Sequence, residues 1–248
     1  MRLDVLFGLA TTAPAAVTGR VVAVIDVLRA STTIAAALAN GARNVVPLES
    51  AEEVMTRARN FERSEVRLAG ERKMLPIPGF DLGNSPLELT RDSVEGRTLL
   101  MTTTNGTAAL AGIQGARDVV VASYVNFSAV SALLRTALRG GTAVTILCAG
   151  RDRLFSLEDA ACAVRYARDL SVNVPEVELG DAANVCMMLE ERYGDDLARL
   201  FAESEHGRAL AEAGFEKDLE LCATIDAFPV VPLYQDRQIT ALGPRLER

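Results

Sequence analysis

The sequence has no tryptophan, 5% aromatic residues and a single histidine. So few rings argue against a surface built to stack on sugars or bases. One histidine excludes a multi-histidine zinc centre, and a Ser-His-Asp triad would have to use His206. The four cysteines, Cys148, Cys162, Cys186 and Cys222, make no Cys-x-x-Cys pair, and they are read as free thiols. Apolar runs such as 21–25 and 119–122 are far too short to span a bilayer.

Positive charge is in deficit. Lys and Arg number 26 against 33 Asp and Glu, for a net charge of −7 and a pI near 5.0. That disfavours nucleic acid, whose binding rests on many basic contacts to phosphates. A small anionic substrate stays compatible, because a local arginine, a metal ion and aimed backbone amides make one pocket positive inside an acidic protein. The first residues show no basic segment leading into a long apolar stretch and a small-residue cleavage site. A cytoplasmic protein without signal peptide or membrane contact is expected.

What is present is alternation. Across 248 residues, 49% of them hydrophobic, β-branched runs alternate with Ala- and Leu-rich amphipathic segments. Strands are predicted at 20–26, 44–49, 66–69, 97–102, 118–122 and 142–148. Helices are predicted at 31–40 (ended by Gly41), after the Ser50/Glu53 capping box, at 107–114, at 126–139 with Asn126 as cap, and from Ser156 to about 170. This pattern predicts one domain over 1–248, a three-layer α/β/α fold with a mainly parallel or mixed sheet. The part from Asp181 to Cys222 reads as helical, a candidate subdomain over 181–225. The Pro- and Gly-rich stretch 72–89 reads as a long functional loop. Segments 228–233 and 238–242 read as closing strands, pushed toward an edge by Pro229 and Pro232.

In open α/β sheets ligands bind beyond the carboxyl ends of the strands, and three of those ends carry unusual turns. In the first, Asp26 ends an apolar strand, Arg29 follows, and Ser31, Thr32 and Thr33 open a helix. A helix N-terminus and a planar guanidinium suit a phosphate, while Asp26 suits Mg²⁺ or attack on phosphorus. The positive surroundings predict a low pKa for Asp26. The second turn is Thr102-Thr103-Thr104-Asn105-Gly106-Thr107, with hydroxyls, an amide and a glycine for close approach to an anion. The third is Cys148-Ala149-Gly150-Arg151, followed by Glu158 and Asp159 at a helix start, oxygen donors for a hard cation. Each turn also reads as plain helix capping, and Cys148 reads as a small buried residue rather than a nucleophile.

Several phosphate chemistries are excluded by their motifs. There is no GxxxxGK[ST] and no Asp-x-Asp pair (Leu28 stands at the second position), and Cys148 and Arg153, with four residues between them, fall one short of a Cys-x₅-Arg loop.

The ordered set Asp26-Val27-Leu28-Arg29-Ala30-Ser31-Thr32, Gly70-Glu71-Arg72, Gly79-Phe80-Asp81-Leu82-Gly83-Asn84-Ser85-Pro86, Thr103-Thr104-Asn105-Gly106-Thr107, Cys148-Ala149-Gly150, Phe155-Ser156-Leu157-Glu158-Asp159 and Ser204-x-His206-Gly207 resembles the 2-phosphosulfolactate phosphatase family. The resemblance runs from about Asp4 to Leu242. It implies an α/β fold of its own type and Mg²⁺-dependent hydrolysis of 2-phosphosulfolactate to sulfolactate and phosphate, in a homodimer. Val164-Arg165 departs from the family, where a small residue is expected after Cys162-Ala163.

The expected roles follow. Asp26, with Glu158 or Asp159, holds Mg²⁺. Arg29, Ser31, Thr32 and the Thr104-Asn105-Gly106 turn hold the phosphate, with Gly150 and Arg151 beside it. Glu71, Arg72, Asn84 and Ser85 cover the carboxylate and sulfonate end, and His206 is the candidate acid for the leaving oxygen. A non-catalytic binding protein for a phosphorylated metabolite would use the same anion-holding turns without needing the carboxylates. Mg²⁺-dependent turnover separates the two.

Overall fold

The computed structural model describes residues 1–8, 13–152 and 154–243. In chain order the elements are β1 (Arg2–Leu6), β2 (Val21–Ile25), α1 (Ala30–Ala39), β3 (Asn44–Pro47), α2 (Ala51–Ala58), β4 (Val66–Arg72), β5 (Leu75–Pro76), α3 (Arg91–Val94), β6 (Thr98–Thr102) and α4 (Gly106–Ala111). They continue with β7 (Asp118–Ala122), α5 (Phe127–Arg139), β8 (Val144–Cys148), α6 (Leu157–Asn173), β9 (Glu178–Leu179), α7 (Asp181–Tyr193), α8 (Leu197–Glu203), α9 (Glu205–Glu212), α10 (Glu216–Cys222), β10 (Pro232–Gln235) and β11 (Gln238–Ala241).

The strands form one mixed sheet in the order β5-β4-β6-β3-β11-β10-β7-β2-β8-β1-β9. Two parallel blocks, β4-β6-β3 and β7-β2-β8-β1-β9, are joined by the antiparallel hairpin β10–β11. Side chains of β2 alternate between two cores, as a period of two requires. Val21, Ala23 and Ile25 pack with α5, α6 and the C-terminal helices, while Val22 and Val24 pack with α1 and α4. The three-layer α/β fold expected from the alternation is therefore present. The helical C-terminal part shares the first of these cores through Leu197, Leu200, Phe201, Leu210 and Cys222.

Local signals produced the helix starts. Ser50 accepts from the Glu53 N–H and Ser156 from the Asp159 N–H. Asn126 is a correction. Its Oδ1 accepts from the Ser123 N–H across a 3₁₀ turn, Tyr124–Asn126, and it gives α5 no side-chain cap.

Two further corrections concern connections. The stretch 72–89 is not all loop, because β4 and β5 form a hairpin through Lys73 and Met74, with φ of 52° and 70°. The closing hairpin sits in the middle of the sheet rather than at an edge. Pro232 opens β10, the position where a strand tolerates the missing N–H, and Pro229 lies before it. Three antiparallel steps separate β3 from β7, so the two parallel blocks run in opposite senses. Sheet twist accumulates across the intervening strands, and the carboxyl ends of β2 and β6 still meet, as the contact between Asp26 and Gly106 shows. Cys162 and Cys222 are buried free thiols and Cys148 is buried at the end of β8. The side chain of Cys186 lies outside the described residues. No described helix is long and apolar enough to cross a membrane.

Candidate active site

Where these strand ends converge lies a cavity of about 540 Å³. Asp26 lies on its wall, 7% exposed, directly after β2. Its Oδ1 accepts from the Ala30 N–H at 3.2 Å, and its own N–H donates to Ser31 Oγ at 2.9 Å. The chain leaving β6 presses against it at Gly106. A Cβ there would lie 2.9 Å from Asp26 Oδ2 and 2.6 Å from Ala30 Cβ, so only glycine allows the approach. Burial drives the Asp26 carboxyl up from 3.8 to about 6, against the charge of His206 and the Ala30 hydrogen bond, with Glu71 and Glu158 adding to the rise. The expected low pKa is thus overturned, because desolvation outweighs the positive surroundings.

Glu71 faces the same cavity and is locked by two backbone donors. Met74 N–H reaches its Oε2 at 2.9 Å and Thr104 N–H its Oε1 at 2.8 Å. Positive charge surrounds this pair of acids. Arg29, Arg72, Lys73 and Arg151 all line the cavity. Arg72 is steadied by the Glu71 carbonyl and Thr102 Oγ1. Thr104 and Asn105 line it too, and Asn105 Oδ1 accepts from the Asp152 N–H at 3.0 Å. Asn84, 6% exposed, also lines it, and its Oδ1 has no hydrogen-bond partner. That oxygen is itself buried, so it is an unsatisfied acceptor behind the wall, a costly arrangement.

His206 belongs to both this cavity and a neighbouring one of about 520 Å³. It sits in the first turn of α9, capped by Ser204 Oγ on the Gly207 N–H. Its Nδ1 lies 3.3 Å from Oε1 of buried Glu158, which leaves Nε2 for the cavity. Burial raises the Glu158 carboxyl, but the hydrogen bond and charge of His206 outweigh it, and the net shift is downward.

Other expected site residues are turned elsewhere. Ser31 Oγ accepts from Asp26 N–H, and Thr32 Oγ1 donates to the Val27 carbonyl at 2.9 Å and meets Ser123 Oγ at 2.9 Å. Both are buried and neither lines the cavity. Ser85 Oγ donates to Asp218. Asp159 takes the Val27 N–H on Oδ1 and the Gly150 N–H on Oδ2, so it and Gly150 brace the β2 and β8 turns from behind. Burial, together with the charges of Asp26 and Glu158, pushes the Asp159 carboxyl well up. Gly150 has φ of +72°, and a Cβ there would meet the Leu154 carbonyl at 1.9 Å.

The residues that sequence reasoning missed are Lys73, Met74 and Asp152 on the wall, and Phe215 and Asp218 behind Arg29, while Thr103, from the second of the turns singled out, is on the wall too. Lys73 directly follows the Gly70-Glu71-Arg72 signature and was within reach of it. Asp218 carried no signal, since it sits in an ordinary polar helix stretch.

Among the described residues no three His, Cys, Asp or Glu side chains are gathered into a cage for an ion. Two carboxylates on an open cavity, Asp26 and Glu71, nonetheless suit Mg²⁺, which takes one or two carboxylates and fills its octahedron with water and substrate oxygens.

The strand ends of this α/β scaffold thus gather two buried acids, four cations and a carboxylate-held histidine around one cavity, an arrangement suited to an anion. Residues 9–237 match the family described as 2-phosphosulpholactate phosphatase, and the chain belongs to that family. It is 43% identical over 224 residues to a probable 2-phosphosulfolactate phosphatase of Symbiobacterium thermophilum, covering 90% of this chain and 95% of that protein. Proteins of the same name from Caldanaerobacter subterraneus subsp. tengcongensis (37%; 85% and 86% covered) and Clostridium acetobutylicum (34%; 96% and 100% covered) are similar as well.

Proposed function

We propose that this protein is a phosphoric monoester hydrolase that converts 2-phosphosulfolactate to sulfolactate and phosphate with Mg²⁺. The observation that carries the reading is the meeting of Asp26, Glu71, four cations and His206 around one cavity. The family membership and the names of its relatives point the same way. A substrate bearing phosphate, carboxylate and sulfonate needs several positive partners, and Arg29, Arg72, Lys73 and Arg151 supply them.

Hydrolysis bonds a water oxygen to phosphorus and breaks the P–O bond to the carbon skeleton. One proton must leave the water and another must reach the departing oxygen. Asp26, mostly ionised at neutral pH, would take the first. His206, its Nδ1 held by Glu158, would give the second from Nε2. Mg²⁺, held by Asp26 and Glu71, would neutralise phosphoryl charge and acidify bound water. Glu71 thus takes the place expected of Glu158 or Asp159 as the second ligand in this reading, because it lines the cavity and neither of those does. Asn84 lies on the wall of the cavity that would take the substrate.

Cytoplasmic location is proposed on the buried free thiols of Cys162 and Cys222, and a homodimer on the family resemblance. The test of the activity is phosphate release over a panel of small phosphorylated acids, with and without Mg²⁺. Preferred turnover of 2-phosphosulfolactate is expected. Equal rates on acids that lack a second anionic group would sink the substrate assignment.

A further inference from the structure

Arg29 is held from three sides by segments far apart in the chain. Its Nη1 donates to Asp218 Oδ2 at 2.6 Å, its Nη2 to the Met74 carbonyl at 2.9 Å, and its guanidinium carbon lies 4.2 Å from the centre of the Phe215 ring. The side chains of Arg29 and Asp218 are 2% and 3% exposed. The other oxygen of Asp218, Oδ1, accepts from Ser85 Oγ at 2.6 Å. Asp218 does not line the cavity, whereas Arg29 does. Phe215 and Asp218 flank the start of α10, so α10 is joined to the site through this guanidinium, while α9 brings His206 to it directly.

We infer that Asp218 is a positioning residue: it touches no substrate and fixes the plane of Arg29 so that the remaining N–H groups face the cavity. A guanidinium has five donors in a rigid fork, and the two contacts above engage one on each terminal nitrogen. The rest stay in one plane set by the Asp218 bond and the Phe215 stack. The carboxylate at 218 accepts from two donors, Arg29 and Ser85, on its two oxygens. An amide would keep a neutral hydrogen bond to Arg29, with Ser85 reversing to accept from the N–H₂, but would remove the charge that pairs with the guanidinium and shortens the bond that holds its plane. The same fork ties down the hairpin turn at Lys73-Met74. The Met74 carbonyl goes to Arg29 and its N–H to Glu71, so a shift of the guanidinium would also loosen the turn that carries Lys73. This inference rests on the proposed function in taking Arg29 as a group that holds the anion.

The experiment is a double-mutant cycle of Asp218→Asn and Arg29→Lys. Its two readouts are kcat/KM on 2-phosphosulfolactate and the affinity for inorganic phosphate by calorimetry. Each single variant is expected to lose at least about tenfold in kcat/KM. In the Arg29→Lys background, Asp218→Asn is expected to cost no more than about a further twofold, because its effect passes through the fork already removed. The same non-additivity is expected for phosphate affinity. If Asp218→Asn costs the same factor with and without Arg29, it is only a structural residue and the inference falls. It falls equally if the wild-type protein binds no phosphate. Ser85→Ala, which leaves the charge of Asp218 in place, is the second variant should Asp218→Asn not fold. A smaller loss that disappears in Arg29→Lys is expected of it, and a loss that persists there overturns the inference. A protein that binds phosphate with this coupling but turns over no phosphate ester would refute the proposed activity and leave the positioning role standing.

Discussion

Nδ1 of His206 lies 3.3 Å from Oε1 of Glu158, and the imidazole stands between two cavities while the carboxylate is buried behind it. That relationship fixes which ring nitrogen is free. If His206 delivers the proton to the leaving oxygen, His206→Asn lowers kcat by about 10²–10⁴-fold with KM nearly unchanged. Glu158→Gln, which keeps the shape and weakens the hold on Nδ1, lowers kcat by a smaller factor. Equal kcat in wild type and His206→Asn, measured by steady-state phosphate release, would return His206 to a structural role.

Asp26→Asn is expected to abolish turnover and to stabilise the metal-free fold. Its carboxyl is raised from 3.8 to about 6 by burial, so the folded state disfavours the charge. The stability it contributes is complete below pH 3.8 and is lost as pH rises through about 6. Removing the charge should therefore stabilise the protein by up to about 3 kcal/mol at pH 7.5, and by roughly half as much at pH 5. Denaturant melts in EDTA at the two pH values check this. A variant less stable than wild type at pH 7.5 contradicts it.

Metal dependence follows from the oxygen-only donor set. EDTA is expected to remove turnover and Mg²⁺ to restore it, with Glu71→Gln raising the Mg²⁺ concentration for half-maximal rate by about tenfold or more. The measurement is a Mg²⁺ titration of both proteins. Full activity in metal-free buffer would eliminate this part of the proposal.

Thr32 separates the sequence reading from the structural one. Its hydroxyl is spent on the Val27 carbonyl and Ser123, away from the cavity. Thr32→Val should lower stability by about 1–3 kcal/mol through the unpaired partners, with KM changed less than about twofold. A large rise in KM with unchanged stability would put the hydroxyl back on the substrate.

Much of this site could be read from the chain because its parts are local. Strands and helices declare themselves by side-chain period, and a turn at a strand's carboxyl end is a place in the fold before any coordinates exist. Asp26, Arg29, Glu71, Arg72, Asn84, Thr104, Asn105, Arg151 and His206 all come to the one cavity. What the sequence by itself determined was this alternating layout and which turns carry chemistry. Tertiary structure decided the rest, through non-local neighbours. The β10–β11 hairpin entered the centre of the sheet because β3 and β7 left their edges for it. The hydroxyls of Ser31 and Thr32 turned inward because buried backbone groups claimed them. The pKa of Asp26 rose because burial is set by everything packed around it. Arg29 found its counter-ion 189 residues away, a distance over which no sequence period reports, since pairing there is made by the fold alone.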